Sequence, residues 1–191
     1  MTPILGIMAS QISGHLSGST SFDSIATVTL SSNQSSISFT SIPSNYKHLQ
    51  IRGVARTTRA GPADMDNVVL NFNSDTGSNY SNGMYQNYGA ATSYSSANQT
   101  QTYMELSRIA SSYVNSSTMG GIIIDILDYA NTNKYKTVRA LSGISNNGSG
   151  AIAGASGNWR NTNAISSIQI TAGTGPDYTT YTSFALYGIR G

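Results

Sequence analysis

Eight carboxylates and two imidazoles make up the acid–base inventory of this 191-residue chain. The acids are Asp23, Asp64, Asp66, Asp75, Glu105, Asp125, Asp128 and Asp177, and the imidazoles are His15 and His48. Glycoside hydrolysis needs two carboxylates facing each other across a cleft. Asp64 and Asp66, in the loop after Gly61-Pro62, fall on one side of an extended segment. They could serve such a reaction or a loose Ca²⁺ site, but they read best as solvated loop acids. His48 alternates with Gln50 and Arg52, which marks a strand's polar face. His15 lies in the N-terminal segment, as a docking aid or a bystander. No histidine pair has zinc-ligand spacing, and with no cysteine there is neither a disulfide nor a thiolate metal site. Ser44-Asn45-Tyr46-Lys47 matches S-x-x-K, yet it leads into a strand and has no companion K-T-G. The glycines from Gly148 to Gly154 lack the following helix that a phosphate loop needs. The sequence nominates no catalytic residue, no metal ligand and no cofactor.

Binding chemistry has better candidates. Tyr80, Tyr85, Tyr88, Tyr94, Tyr103 and Tyr113 stand among Ser, Asn, Gly and Gln. Antibody paratopes share that composition, because tyrosine offers rigid amphipathic area at low entropic cost. Tyr85, Tyr88 and Tyr94 are the expected ligand or receptor contacts, since such rings also stack on sugar faces. Trp159, beside Arg160 at the end of the Gly-rich stretch 144–161, is a second and weaker candidate. The competing reading is that these tyrosines pack on one another or across a subunit interface.

The element that must position them is Gly120–Ser142, the densest apolar run. Ile122, Ile124 and Ile126 alternate, as do Val138 and Ala140, so the run predicts two strands joined by a polar turn. Folding about Thr132 sets Ile126 opposite Val138, Ile124 opposite Ala140, Asp125 opposite Arg139 and Asp128 opposite Lys136. The second face carries Ile123, Leu127, Tyr129, Tyr135 and Leu141 and needs cover, for which an adjacent subunit is the expected source. Further alternation marks strands at Ala26–Leu30, Ile37–Phe39, Leu49–Ala55, Val68–Phe72, around Met104–Leu106, at Ile165–Ile170 and at Phe184–Gly188. The first two of these read as a hairpin, and 144–161 reads as a flexible loop. The expected fold is all-β: a single antiparallel β-sandwich, jelly-roll-like, of about eight strands. Residues 1–18 form a separate apolar segment, with 19–191 as the β-sandwich domain. Ile4, Leu5, Ile7, Met8 and Ile12 would make that segment a docking peg; an edge strand of the same domain is the alternative.

Charged residues are only 9% of the chain against about 25% in an ordinary globular protein. A Ser/Thr/Asn-rich, Tyr-rich composition of this kind is typical of proteins that work outside cells or within assemblies. The net charge is +2, without a cluster of Lys or Arg to track a phosphate backbone, so nucleic acid is not an expected partner. No apolar run approaches the ~18 residues of a membrane span. No Lys or Arg precedes Lys47, which argues against a secretory signal.

Several stretches carry a resemblance. TPILGIMASQISG at 2–14, FTSIPSNYKHLQIRGVAR at 39–56, DTGSNY at 75–80 and ISSIQITAG with TTYTSFALYGIRG at 165–191 are similar to small tail-fibre-like or structural virion proteins of tailed bacteriophages. The resemblance implies a non-enzymatic virion component, commonly a homotrimer, assembled in the host cytoplasm. Its partners would be other tail or capsid proteins, with a host surface glycan as a further candidate. A tail-fibre-like or receptor-contacting appendage is the leading expectation. Capsid decoration, as a cement or head-fibre protein, and a carbohydrate-binding module are the alternatives.

Overall fold

A computed structural model describes residues 21–88, 92–174 and 176–191. Among them are twelve strands and no helix. In chain order these are β1 (Phe22–Thr29), β2 (Ser36–Phe39), β3 (His48–Ala55), β4 (Met65–Phe72), β5 (Tyr80–Tyr88) and β6 (Thr92–Gln101). They continue with β7 (Met104–Ala110), β8 (Gly120–Leu127), β9 (Lys136–Asn146), β10 (Ser149–Trp159), β11 (Ile168–Ala172) and β12 (Ser183–Ile189). The strands form an eight-stranded sheet, β1-β12-β3-β8-β9-β10-β5-β6, and a four-stranded sheet, β2-β11-β4-β7. Every strand pairing is antiparallel.

Period-two alternation decides which side chains enter the core. Leu49, Ile51, Ile122, Ile124, Ile126, Val138, Phe184 and Leu186 point inward from the large sheet, and all are buried. They share one cluster with Ile37, Phe39, Val68, Leu70, Phe72, Leu106, Ile168 and Ile170 of the small sheet. The two sheets are thus the layers of a sandwich around one core. At one end Phe72, Tyr80 and Trp159 form an aromatic group, with Trp159 5.6 Å from Phe72 and 6.4 Å from Tyr80 between ring centroids. Strand β7 lies close against β10, where Gly157 makes room for the Met104 side chain.

The β8–β9 hairpin has the expected register: Ile126 pairs with Val138, Ile124 with Ala140 and Asp125 with Arg139. Pairing ends at Leu127–Thr137 because Asp128 turns into the left-handed region, at φ 48°. Asp128 therefore bonds Lys134 and lies 3.0 Å from Lys47 rather than facing Lys136. Lys136 is buried on the inner side, where its Nζ donates to three carbonyl oxygens.

Three further expectations are corrected. Twelve strands replace about eight, since 80–101 and 144–159 form β5, β6, the end of β9 and β10. Strands β1 and β2 are no hairpin: β1 pairs with β12 in the large sheet and β2 with β11 in the small one. The Gly-rich stretch is not a surface loop, because β10 lies between β9 and β5 with backbone bonding on both sides. The docking peg, with Ile4, Leu5, Ile7, Met8 and Ile12, lies outside the described residues.

Candidate functional site

The aromatic candidates separate in space. Tyr85 points outward from β5 and is exposed, with its hydroxyl 3.3 Å from Ser93 Oγ. Tyr88 has the opposite parity on β5, alongside the buried Gln86, and Tyr94 on β6 pairs with Gln86. Both therefore belong to the inner side, where the large sheet overhangs the small one beyond β7, and both are exposed there. Trp159 is corrected outright: at 1% exposure it is a core residue, and its indole Nε1 donates to Asp75 at 2.7 Å. A tryptophan in that position presents no surface to a ligand.

The outer face of the large sheet carries an open apolar surface. Val54 of β3, Ile123 of β8, Leu141 of β9 and Ile152 of β10 all stand on it, with Leu141 58% and Ile152 64% exposed. Register makes them neighbours: Ile123 pairs with Leu141, while Val54 and Ile152 stand at opposite ends of a row through Gly121 and Gly143. The two glycines leave a shallow floor between apolar walls. Of the expected second face, Ile123 and Leu141 lie here, whereas Tyr129 turns inward and its hydroxyl bonds the Pro43 carbonyl.

Beside this band runs a polar chain whose groups satisfy one another. Arg52 Nε donates to Gln50 Oε1 at 2.6 Å, Gln50 Nε2 to Asp125 Oδ1 at 2.7 Å, and Arg139 Nε to Asp125 Oδ2 at 3.0 Å. The Arg52 guanidinium also sits 5.5 Å from the Phe22 ring and 5.6 Å from that of Tyr187. Charge at the rim is thus tied down within the chain, leaving the band to present apolar area.

No family model, curated protein or solved structure matches this chain.

Function must therefore be argued from the surfaces themselves, and a second one lies on the inner side. A cleft of about 490 Å³ is lined by Arg59, Pro62, Ala63, Asp64, Met65, Tyr88 and Arg108. Its loop is held by Ser111, whose backbone N donates to the Asp64 carbonyl at 3.0 Å and whose hydroxyl bonds the Ala63 carbonyl. Arg108, on β7, donates from Nε to Gln86 Oε1 at 2.7 Å and sits 3.5 Å from Glu105. Arg59 donates to the Met65 carbonyl at 2.9 Å and lies 3.7 Å from Asp66. Asp66 is fully buried, not a solvated loop acid, and it also accepts from the backbone N of Asn67 and of Thr174. Asp64 lines the cleft while Asp66 is committed to the fold, so the two do not form a facing pair.

Sequence reasoning missed Arg59 and Arg108. Arg108 sits within the strand pattern around Met104–Ile109, and only its alternation with the buried Ser107 and Ile109 could have marked it as cleft-facing. Among the described residues no group of three or more His, Asp or Glu gathers to hold a metal ion. His48 accepts at Nδ1 from the backbone N of Asp128 at 2.9 Å, a structural role at a strand end. The buried Arg56 donates to the carbonyls of Ser112, Val114, Asn115 and Thr118 and so shapes the loop before β8.

Proposed function

We propose that this chain is a non-enzymatic structural protein of a tailed-phage virion, an exposed particle-attached appendage of tail-fibre-like or receptor-contacting type that assembles as a homotrimer. The observation that carries this reading is the apolar band Val54, Ile123, Leu141 and Ile152 on the outer sheet face. Contiguous exposed apolar area in a chain of 9% charge marks a packing surface, and a second copy is the occupant we assign to it. At the rim Asp125 is paired with Arg139, and Arg52 is bonded to Gln50 and lies over the Phe22 and Tyr187 rings, so the polar groups beside the band are already engaged within each chain.

The fold is read as a jelly roll with two inserted hairpins. Setting aside β5–β6 and β9–β10 leaves two four-stranded sheets, β1-β12-β3-β8 and β2-β11-β4-β7. In that order the chain passes repeatedly from one sheet to the other, the pattern of two interlocked Greek keys found in viral capsid and lectin domains. The inserted hairpins widen one sheet and carry Tyr85, Tyr88 and Tyr94. Resemblance to phage virion proteins and this architecture point the same way.

The decisive experiment is to purify particles, locate the protein by gold labelling and count its copies. A small multiple of three per particle at the tail is the expected result. Sixty-fold multiples on the head would instead make it a capsid decoration protein, and absence from the particle would overturn the reading.

A further inference from the structure

We propose that the cleft between the 59–65 loop, β5 and β7 binds one neutral hexose unit of a glycan. That the glycan belongs to a host surface rests on the proposed function; the binding chemistry does not.

The cleft has the size of a small-molecule site, since such pockets run from about 300 to 1,000 Å³, and its volume is about 490 Å³. Its lining combines what a sugar ring needs. Tyr88 supplies an exposed aromatic ring for the C–H face. Arg59 and Arg108 supply planar donors for hydroxyl oxygens, and Asp64 supplies an acceptor for hydroxyl protons. The two guanidinium groups are held in place before any ligand arrives. Arg108 is fixed by Gln86 and Glu105, and Arg59 by the Met65 carbonyl and Asp66. Pre-organised polar groups lose little freedom on binding, and this suits a ligand that offers many weak hydrogen bonds.

Charge decides between neutral and acidic sugars. Arg59 faces Asp66 at 3.7 Å, Arg108 faces Glu105 at 3.5 Å, and Asp64 adds a further carboxylate. Two cations against three anions leave no surplus positive potential for a carboxylate or phosphate group. A uronic acid would bring one more negative charge into that set, whereas a neutral hexose uses the same donors and acceptors without repulsion. The geometry also separates this site from Tyr85, which stands on the opposite face of β5.

The test is saturation-transfer NMR on the full chain with glucose, galactose and mannose trisaccharides, and with a glucuronate oligomer as the acidic probe. At least one neutral trisaccharide should bind with a dissociation constant on the order of millimolar, as expected for a single engaged ring. Tyr88→Ala and Arg59→Gln should each weaken binding by about tenfold or more, and Tyr85→Ala should leave it unchanged. Melting curves check the fold; if Arg59→Gln is unstable, the exposed Tyr88 decides alone. Silence toward all three neutral sugars, tighter binding of glucuronate, or loss of binding in Tyr85→Ala rather than Tyr88→Ala would overturn the assignment. A protein that binds hexose but is absent from particles would sink the proposed function and leave this site standing. A particle-bound protein with a silent titration would do the reverse.

Discussion

Trp159 donates its indole Nε1–H to the Asp75 carboxylate at 2.7 Å, and so ties the end of β10 to the turn after β4. The same carboxylate accepts from the backbone N of Gly77 at 2.8 Å and from Asn79 Nδ2 at 2.9 Å. Burial opposes ionisation of Asp75, but bonds from Trp159, Asn79, Gly77 and Asn161 outweigh it and hold its pKa below the usual carboxylate range. With its folded pKa depressed, Asp75 contributes stability that is present above the unfolded value near 4 and is lost as pH falls through the folded one. Asp75→Asn should lower the unfolding free energy at pH 7 by about 1–3 kcal/mol. Urea titrations across the acid range should show parent and variant converging as the pH falls; a gap that stays constant would show that the charge is not the source.

Lys136 makes a comparable prediction from the opposite sign of charge. Its Nζ lies 2.6 Å from the Asn131 carbonyl, 3.0 Å from that of Lys134 and 3.0 Å from that of Thr162. Burial first, and then the neighbouring Lys134, lower its pKa from the ordinary lysine value. The unfolded chain therefore holds this proton more tightly, and the contribution of Lys136 to stability rises with pH through the window between the folded and ordinary values. Removing the ammonium leaves three carbonyl oxygens without their donor. Lys136→Met should destabilise by about 1–3 kcal/mol despite its better hydrophobicity. Thermal unfolding checks this, and a variant as stable as the parent would mean that water replaces the ammonium.

Two adjacent glycines on β8 should respond in opposite ways. A Cβ added at Gly120 would lie 2.8 Å from Ile109 Cα and 2.9 Å from the Ala110 backbone N, so backbone would have to move. At Gly121 an added Cβ meets nothing within 4 Å. Gly120→Ala should cost about 1–3 kcal/mol by overpacking, while Gly121→Ala should stay within about 0.5 kcal/mol of the parent. Paired denaturation curves settle the matter, and equal effects would contradict the close approach of β7 to the large sheet.

Strands whose inward positions are aliphatic were legible in the sequence. Ile122, Ile124 and Ile126 against Val138 and Ala140 fixed both the β8–β9 pairing and the Asp125–Arg139 contact. Strands β5 and β10 were not legible, because Asn82 and Gln86 interrupt Tyr80 and Met84 on the inward side of one, and Ala151, Ala153 and Gly157 precede Trp159 on that of the other, so neither shows an aliphatic alternation. The reason is physical. The large sheet there faces the edge strand β7 and its polar Arg108 rather than the middle of the core. Trp159 was misplaced for a related reason: the glycines before it suggested a loop, while Gly157 is small because Met104 fills its place. The cleft combines Arg59, Tyr88 and Arg108 from separate parts of the chain, and local spacing gives no sign that such residues meet.

The last prediction concerns the outer face. Leu141 and Ile152 are among the most exposed large apolar side chains and lie on neighbouring strands, Leu141 paired with Gly154 and Ile152 with Gly143. On an isolated chain, exchanging them for a charged residue removes little buried area, so stability should change by no more than about 0.5 kcal/mol for each substitution. Under subunit packing, a carboxylate in the same place would be desolvated among apolar side chains, and the nearby Arg139 is already paired with Asp125. Leu141→Asp combined with Ile152→Asp should therefore convert a trimer to a monomer that keeps the parent's circular dichroism spectrum and loses only the stability that association supplied. Sedimentation equilibrium of parent and double variant measures both masses directly. A parent that is monomeric at high concentration, or a double variant that remains trimeric, would remove the outer face as the assembly surface. A change in mass without a change in fold is the outcome that ties the apolar band to subunit contact, because damage to the core would alter both together.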